Sequence, residues 1–287
     1  MNKFLFIIIF CLSFNFCQAY QIDQFDFMPI MQALPQDLHG YAPKEQRGEE
    51  YRRFLCSSVK ISVSGASGSG TIVYYDSNKN LAYVASCGHL WNESIMTADE
   101  GKIKNKKCKI IVFYQNDKKL DSPKSYEANV IFYSNINSCD TSLVTFNPDW
   151  TPNYYPIAPK EYRYNLDSTA HSCGCDHGSE VAHYSIRIKA VGNDIVTYEN
   201  SPRPGRSGGG LMDDDGYYIG TCWGTQFIDG SGEGFFTTLS DIHNFWSKQG
   251  YNFLLHQKLK KNLAQLIPIV NKTEKQKDFS QNYILTP

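Results

Sequence analysis

Short runs of β-branched and aromatic residues, each bounded by turn residues, dominate the chain from Val59 onward: 59–63, 70–75, 81–86, 108–114, 128–133 and 141–146. The second half repeats the pattern at 181–191, 194–198, 210–212, 217–223 and 234–238. Each run has the length and residue types of a strand. No helical period interleaves them until 240–248, so the pattern predicts an all-β antiparallel sandwich or barrel rather than a parallel α/β sheet. Upstream the pattern breaks. Residues 20–54 are polar and turn-rich, with Pro29, Pro35, Pro43 and the charged run 49–53, and read as an arm or pro-segment before a domain at 55–249. Downstream, 250–287 carries Leu254, Leu255, Leu259, Leu263 and Leu266 at near-helical spacing and then a polar stretch, which predicts a packing helix with a loose tail.

Composition narrows the function classes. With 287 residues and a formal net charge of −1, the chain can bury one large core or two small ones, and its balanced charge argues against a nucleic-acid partner. The run 102–107 is rich in lysine and reads as a solvated loop. Residues 1–19 read as a signal peptide: Lys3 is the basic start, 4–16 the apolar stretch, and Cys17-Gln18-Ala19 the segment before cleavage. The apolar run falls short of the roughly 20 residues that span a bilayer, so a secreted or periplasmic protein with no stable membrane anchor after cleavage is expected. Of nine cysteines, Cys11 and Cys17 would leave with the signal. An odd number then remains, so internal pairing is incomplete; disulfides are expected in an exported chain, with connectivity left open.

The chemistry concentrates in three segments. Pro204-Gly205-Arg206-Ser207-Gly208-Gly209-Gly210 crowds a serine with glycines, as needed where backbone amides approach a reacting carbonyl. Upstream, Val84-Ala85-Ser86-Cys87-Gly88-His89 and Cys139-Asp140-Thr141-Ser142-Leu143-Val144 supply a histidine and an aspartate in the order His, Asp, Ser. These segments resemble the chymotrypsin-like (trypsin-like) serine peptidases, closest in motif to secreted bacterial and HtrA-type domains. Gly68-Ser69-Gly70 before the histidine strand adds to the likeness, which covers roughly 59–245.

The resemblance implies two six-stranded antiparallel β-barrels with a C-terminal helix, and a serine endopeptidase acting on protein or peptide substrates without a cofactor or metal. It makes His89 the general base, Asp140 its orienting carboxylate and Ser207 the nucleophile, with the main-chain donors of Gly205 and Ser207 as oxyanion hole. Cys222, Trp223 and Gly224 would pair with substrate backbone, Ser201 would lie at the base of the primary pocket, and Gly224 and Gly234 would line its walls. With no acid there, an apolar or small residue before the scissile bond is expected.

Several features depart from the pattern. Arg206 stands where the digestive enzymes carry Asp, so activation by an ion pair with a cut N-terminus is excluded by charge. A pre-formed site, or activation by loss of the arm, is expected instead. Gly205-Arg206-Ser207-Gly208-Gly209 also fits the Gly-x-Ser-x-Gly pattern of α/β-hydrolases, but no helix is predicted after the serine. The segment 171–177, His-Ser-Cys-Gly-Cys-Asp-His, is dense in metal-ligand types, and a plain turn is the favoured reading. Cys87 and Cys139 are expected to pair or pack beneath the site. A catalytically silent homologue that binds a partner is the alternative function; retention of all three triad types argues against it.

Overall fold

The computed structural model describes residues 44–91, 101–102, 106–135, 138–228 and 231–257. The chain divides into two units, Met1–Ala42 and Pro43–Pro287, and every residue described belongs to the second. The expected signal peptide, the arm up to residue 43 and the tail beyond 257 lie outside the described residues.

Among the described residues thirteen strands form, twelve of which build two closed antiparallel barrels. The first uses β1 (Ser58–Val63), β2 (Ala66–Asp76), β3 (Leu81–Ser86), β5 (Lys107–Gln115), β6 (Lys118–Tyr133) and β7 (Ser142–Phe146), closed by β6–β7 pairing, with the short β4 (Gly101–Lys102) added at β6. The second runs β10-β13-β12-β11-β8-β9 and closes on itself: β8 (Thr169–Gly174), β9 (Ala182–Val191), β10 (Asp194–Tyr198), β11 (Gly210–Met212), β12 (Tyr218–Ile228) and β13 (Ser231–Thr237). The all-β expectation and its two six-stranded barrels therefore hold. Turn chemistry sets register locally. Asn116 and Asp117, both at positive φ, join Gln115 to its partner Lys118, the conformation a two-residue hairpin needs for its twist to match the strands.

Alternation fills the two interiors. Val59, Ile61, Ile72, Val84, Ile110, Val112, Val130 and Val144 pack inside the first barrel; Ile186, Ile188, Ile195, Leu211, Ile219 and Phe236 belong to the larger apolar cluster of the second. The C-terminal helix α2 (Leu239–Lys248) is N-capped by Thr238, whose Oγ1 accepts from Asp241 N–H at 3.3 Å and donates to Asp241 Oδ2 at 3.0 Å. Leu239, Ile242 and Trp246 are its buried face, and Trp246 Nε1 donates to Thr141 Oγ1 at 3.2 Å, so the helix steadies the residue after Asp140. A further short helix, α3 (Asn252–Leu255), buries Leu254 and Leu255.

Three elements differ from the sequence pattern. Strand β6 begins at Lys118 rather than 128, because its first half is a polar, exposed hairpin arm without apolar alternation. Strand β8 falls in the segment read as a turn. Thirdly, the packed chain reaches upstream of residue 55: a 3-10 turn at Glu49–Tyr51 leads into α1 (Arg52–Leu55), whose Phe54 and Leu55 are buried in the core.

A chain of imidazoles ties this upstream segment to the second barrel. His183 Nδ1 meets Gln46 Oε1 at 2.9 Å, His183 Nε2 meets His171 Nδ1 at 2.8 Å, and His171 Nε2 meets Asp214 Oδ1 at 2.9 Å. Gln46 Nε2 donates to Tyr51 OH, which leaves its oxygen as the acceptor and puts the His183 proton on Nδ1. Burial first, then the nearby His171 and Arg53, pushes His183 down to about 2. The folded protein holds it neutral where the unfolded chain would protonate it, so stability is lost as pH falls below about 6.5. The expected loss from this group is about 1.4 kcal/mol per pH unit. Urea titrations of the wild type and His183→Gln between pH 7.5 and 4.5 check it; equal slopes for the two proteins would refute it.

Candidate active site

Strand β3 delivers Cys87-Gly88-His89 to the edge of the first barrel. Glycine is required between them, since a Cβ on Gly88 would lie 1.6 Å from the Ser134 carbonyl oxygen. The tight turn aims two N–H groups at one carboxylate: Asp140 Oδ1 accepts from Gly88 N–H at 2.8 Å and His89 N–H at 2.6 Å. Its other oxygen, Oδ2, faces His89 Nδ1 at 2.7 Å. Asp140 is buried and sits at φ 39°, a strained conformation of the kind that clusters at functional sites. Burial disfavours the imidazolium of His89, whereas the Cys87 sulfur and the Asp140 carboxylate favour it, and the balance holds its pKa well above the ordinary histidine range. The far nitrogen, Nε2, lies 3.6 Å from Cys87 Sγ.

Ser207 comes from the turn between β10 and β11. Its carbonyl accepts from Ser69 N–H at 2.7 Å, and Gly208 N–H donates to Cys222 O at 2.7 Å. A Cβ on Gly68 would lie 2.9 Å from Ser207 O and 3.1 Å from Leu90 Cδ2, so the serine turn and the residue after His89 flank the same glycine. Among the described residues no hydrogen bond joins Ser207 Oγ to His89. Serine–histidine bonds commonly tighten only with substrate present.

The peptide planes around Ser207 are pinned through their carbonyls. Pro204 O accepts from His177 N–H at 2.5 Å, and Arg206 O accepts from Gly209 N–H at 2.8 Å. In a trans peptide the N–H points opposite to the C=O. The N–H groups of Gly205 and Ser207 therefore face away from those contacts, and among the described residues neither donates within the protein. Gly205 has φ +95°, and a Cβ there would lie 2.4 Å from Cys175 O, so only glycine fits. Ser69 completes the support: its Oγ donates to Gly205 O at 2.7 Å and accepts from Cys175 N–H at 2.8 Å, while its carbonyl accepts from Ser86 Oγ at 2.8 Å.

Arg206, beside the serine, points inward rather than at the donors. Its side chain is fully buried, its Nε and Nη2 reach Asp176 Oδ1 and Oδ2 at 2.7 and 2.5 Å, its Nη1 donates to Asn200 O at 2.8 Å, and the guanidinium stacks 3.4 Å from the Tyr184 ring centroid. Burial alone would lower its pKa; the Asp176 charge outweighs this and holds it above the ordinary value.

The proposed substrate-binding residues divide. Ser201 is buried, and Gly234 backs onto the next residue, with a Cβ there 2.6 Å from Pro202 Cδ and from Thr197 Oγ1. A Cβ on Gly224 would meet nothing within 4 Å. Cys222 is buried, its thiol pushed up by burial. Trp223 donates from Nε1 to Asp194 Oδ1 at 2.9 Å. It joins Cys139, Asp140, Asp194 and Asp241 in lining a polar cavity of about 520 Å³.

The metal-ligand-rich segment resolves into separate partners. His171 belongs to the imidazole chain, Asp176 holds Arg206 and His177 is exposed; among the described residues no three His, Cys, Asp or Glu side chains converge on one point. Nor does a disulfide join Cys87 to Cys139, and all seven described cysteines are thiols. Nothing in their local segments marks Asp176, His177 or Ser69 as supports, because what they grip lies far along the chain.

Two closed antiparallel barrels followed by a C-terminal helix are the chymotrypsin-like peptidase fold. Solved structures of serine proteases are similar to this chain. The Rv3671c protease from M. tuberculosis in its active form matches at 18% identity over 70% of this chain and 84% of that chain, with a TM-score of 0.52. The Rv3671c protease in its inactive form matches at 19% identity over 70% and 92%, with a TM-score of 0.51. The serine endoprotease from Yersinia pestis matches at 16% identity over 74% and 68%, with a TM-score of 0.51. No family model and no curated protein matches the chain.

Proposed function

We propose that the protein is a secreted serine endopeptidase with His89, Asp140 and Ser207 as its triad. The observation that carries this reading is the His89 Nδ1–Asp140 Oδ2 contact at 2.7 Å beside the glycine-framed serine turn. Asp140 holds the proton on Nδ1 and leaves Nε2 as the acceptor. When substrate arrives, Nε2 exchanges its Cys87 contact for Ser207 Oγ and takes the hydroxyl proton as Oγ attacks the carbonyl carbon. The developing oxyanion is met by the N–H groups of Gly205 and Ser207. The imidazolium then protonates the leaving amine, and water, activated by the same nitrogen, releases the acyl group from Ser207.

The substrate is an extended protein segment, its backbone beside Cys222-Trp223-Gly224 and an apolar or small side chain directed toward Ser201 and Gly234. No cofactor takes part. With Arg206 already paired to Asp176, the site needs no new N-terminus, so the chain starting near Tyr20 is expected to be active without cleavage of its arm. A second reading, a silent homologue, draws on the missing Ser207–His89 hydrogen bond.

A fluorophosphonate probe separates the two. The intact chain is expected to gain one covalent adduct, mapped by mass spectrometry to Ser207, and to degrade denatured casein. Absence of both would leave the binding-protein reading standing.

A further inference from the structure

Between the two proposed oxyanion donors lies one residue, Arg206, whose buried side chain is held by three other residues. Asp176 from the turn after β8, Tyr184 on β9 and Asn200 after β10 all hold the guanidinium, at full burial. Asn200 and its neighbour Glu199 adopt φ 44° and 63°, left-handed conformations that cost energy in residues other than glycine, and this strain accompanies the carbonyl offered to Arg206. The turn that supplies the Asp176 carboxylate also supplies the His177 N–H that pins Pro204 O, so side-chain and backbone grips arrive together.

A buried ion pair is a poor device for stability alone, because desolvating two charges offsets much of their attraction and apolar replacements are often as stable. Its strength is geometry: a guanidinium fork on a carboxylate fixes orientation as well as distance. Fixing Arg206 fixes the 206–207 peptide that carries the Ser207 N–H, and the Asp176 turn, through His177 N–H on Pro204 O, fixes the 204–205 peptide that carries the Gly205 N–H.

We infer that Asp176 and Arg206 are positioning residues which hold the turn 204–207 with both N–H donors turned toward the reacting carbonyl, a lock supplied wholly by the folded chain. This rests on the reading of Ser207 as nucleophile. Their contribution appears in stabilisation of the tetrahedral state and not in ground-state binding.

The test uses the intact secreted chain and two variants. Arg206→Lys keeps the charge and loses the fork; Arg206→Met with Asp176→Asn removes both charges, so neither is left buried alone. Each variant is first checked for a cooperative thermal melt. Loss of one oxyanion donor costs about 10²- to 10³-fold in kcat. For a folded variant we expect kcat to fall by that order with KM within about threefold, and a peptide boronate to lose affinity in proportion while an uncleaved product peptide binds as before. Unchanged kcat and boronate affinity in either folded variant would overturn the inference, as would failure of both variants to fold, which would make the pair structural. Failure of the wild-type chain to label with the fluorophosphonate would instead sink the peptidase reading itself.

Discussion

Replacing Ser207 with alanine is expected to lower kcat on a peptide substrate by about 10⁴- to 10⁶-fold while leaving KM and the melting temperature nearly unchanged. The hydroxyl is the only group removed, and it makes no hydrogen bond among the described residues. The contacts that shape the turn are backbone ones: Ser69 N–H to Ser207 O and Gly208 N–H to Cys222 O, both 2.7 Å. Alanine keeps them, so a large kinetic loss arrives without a stability loss. Residual turnover reflects substrate positioning and the remaining donors. Steady-state kinetics beside a thermal melt measure both quantities; turnover equal to wild type would remove Ser207 from the mechanism.

Asp140→Asn is expected to cost about 10⁴-fold, for a different reason. Oδ1 serves the N–H groups of Gly88 and His89, and an amide oxygen can continue to do so. At the Oδ2 position asparagine presents an NH₂ group, which donates where the carboxylate accepted. His89 Nδ1 must then become the acceptor, the proton moves to Nε2, and the nitrogen facing the serine can no longer take a proton. A pH profile gives an independent readout. Because the wild-type His89 pKa is raised and the base works only when neutral, kcat/KM should rise with pH through a limb above the ordinary histidine range. In the asparagine variant the carboxylate that favours the imidazolium is gone, so that limb should move to lower pH. An unmoved limb would mean that another group controls the titration.

Strands written as short apolar or β-branched runs between turn residues were legible from the chain: β3, β10 and β11 occupy the predicted positions. Strand β8 was not, because Thr-Ala-His-Ser-Cys-Gly is polar and small, and its burial is compensated by partners such as His183 and Asp214 that come from elsewhere. His89 and Asp140, 51 residues apart, were brought together only by resemblance to a known pattern; nothing in either local segment specifies the other. Arg206 and Asp176 show the opposite limit. Charged residues are ordinarily exposed, and a separation of 30 positions hides a pair that is legible only in three dimensions.

Ser69 lies on β2 of the first barrel, yet its N–H and hydroxyl hold Ser207, Gly205 and Cys175, all beyond the first barrel's strands. The nucleophile turn is thus a mortise cut in one barrel for a tenon carried by the other. If Ser207 is the nucleophile proposed above, assembly of the site and docking of the barrels are coupled. A half-folded chain, with one barrel closed and the other open, loses the Ser69 contacts that shape the turn around Ser207, so a peptidase built this way would be silent until both barrels close.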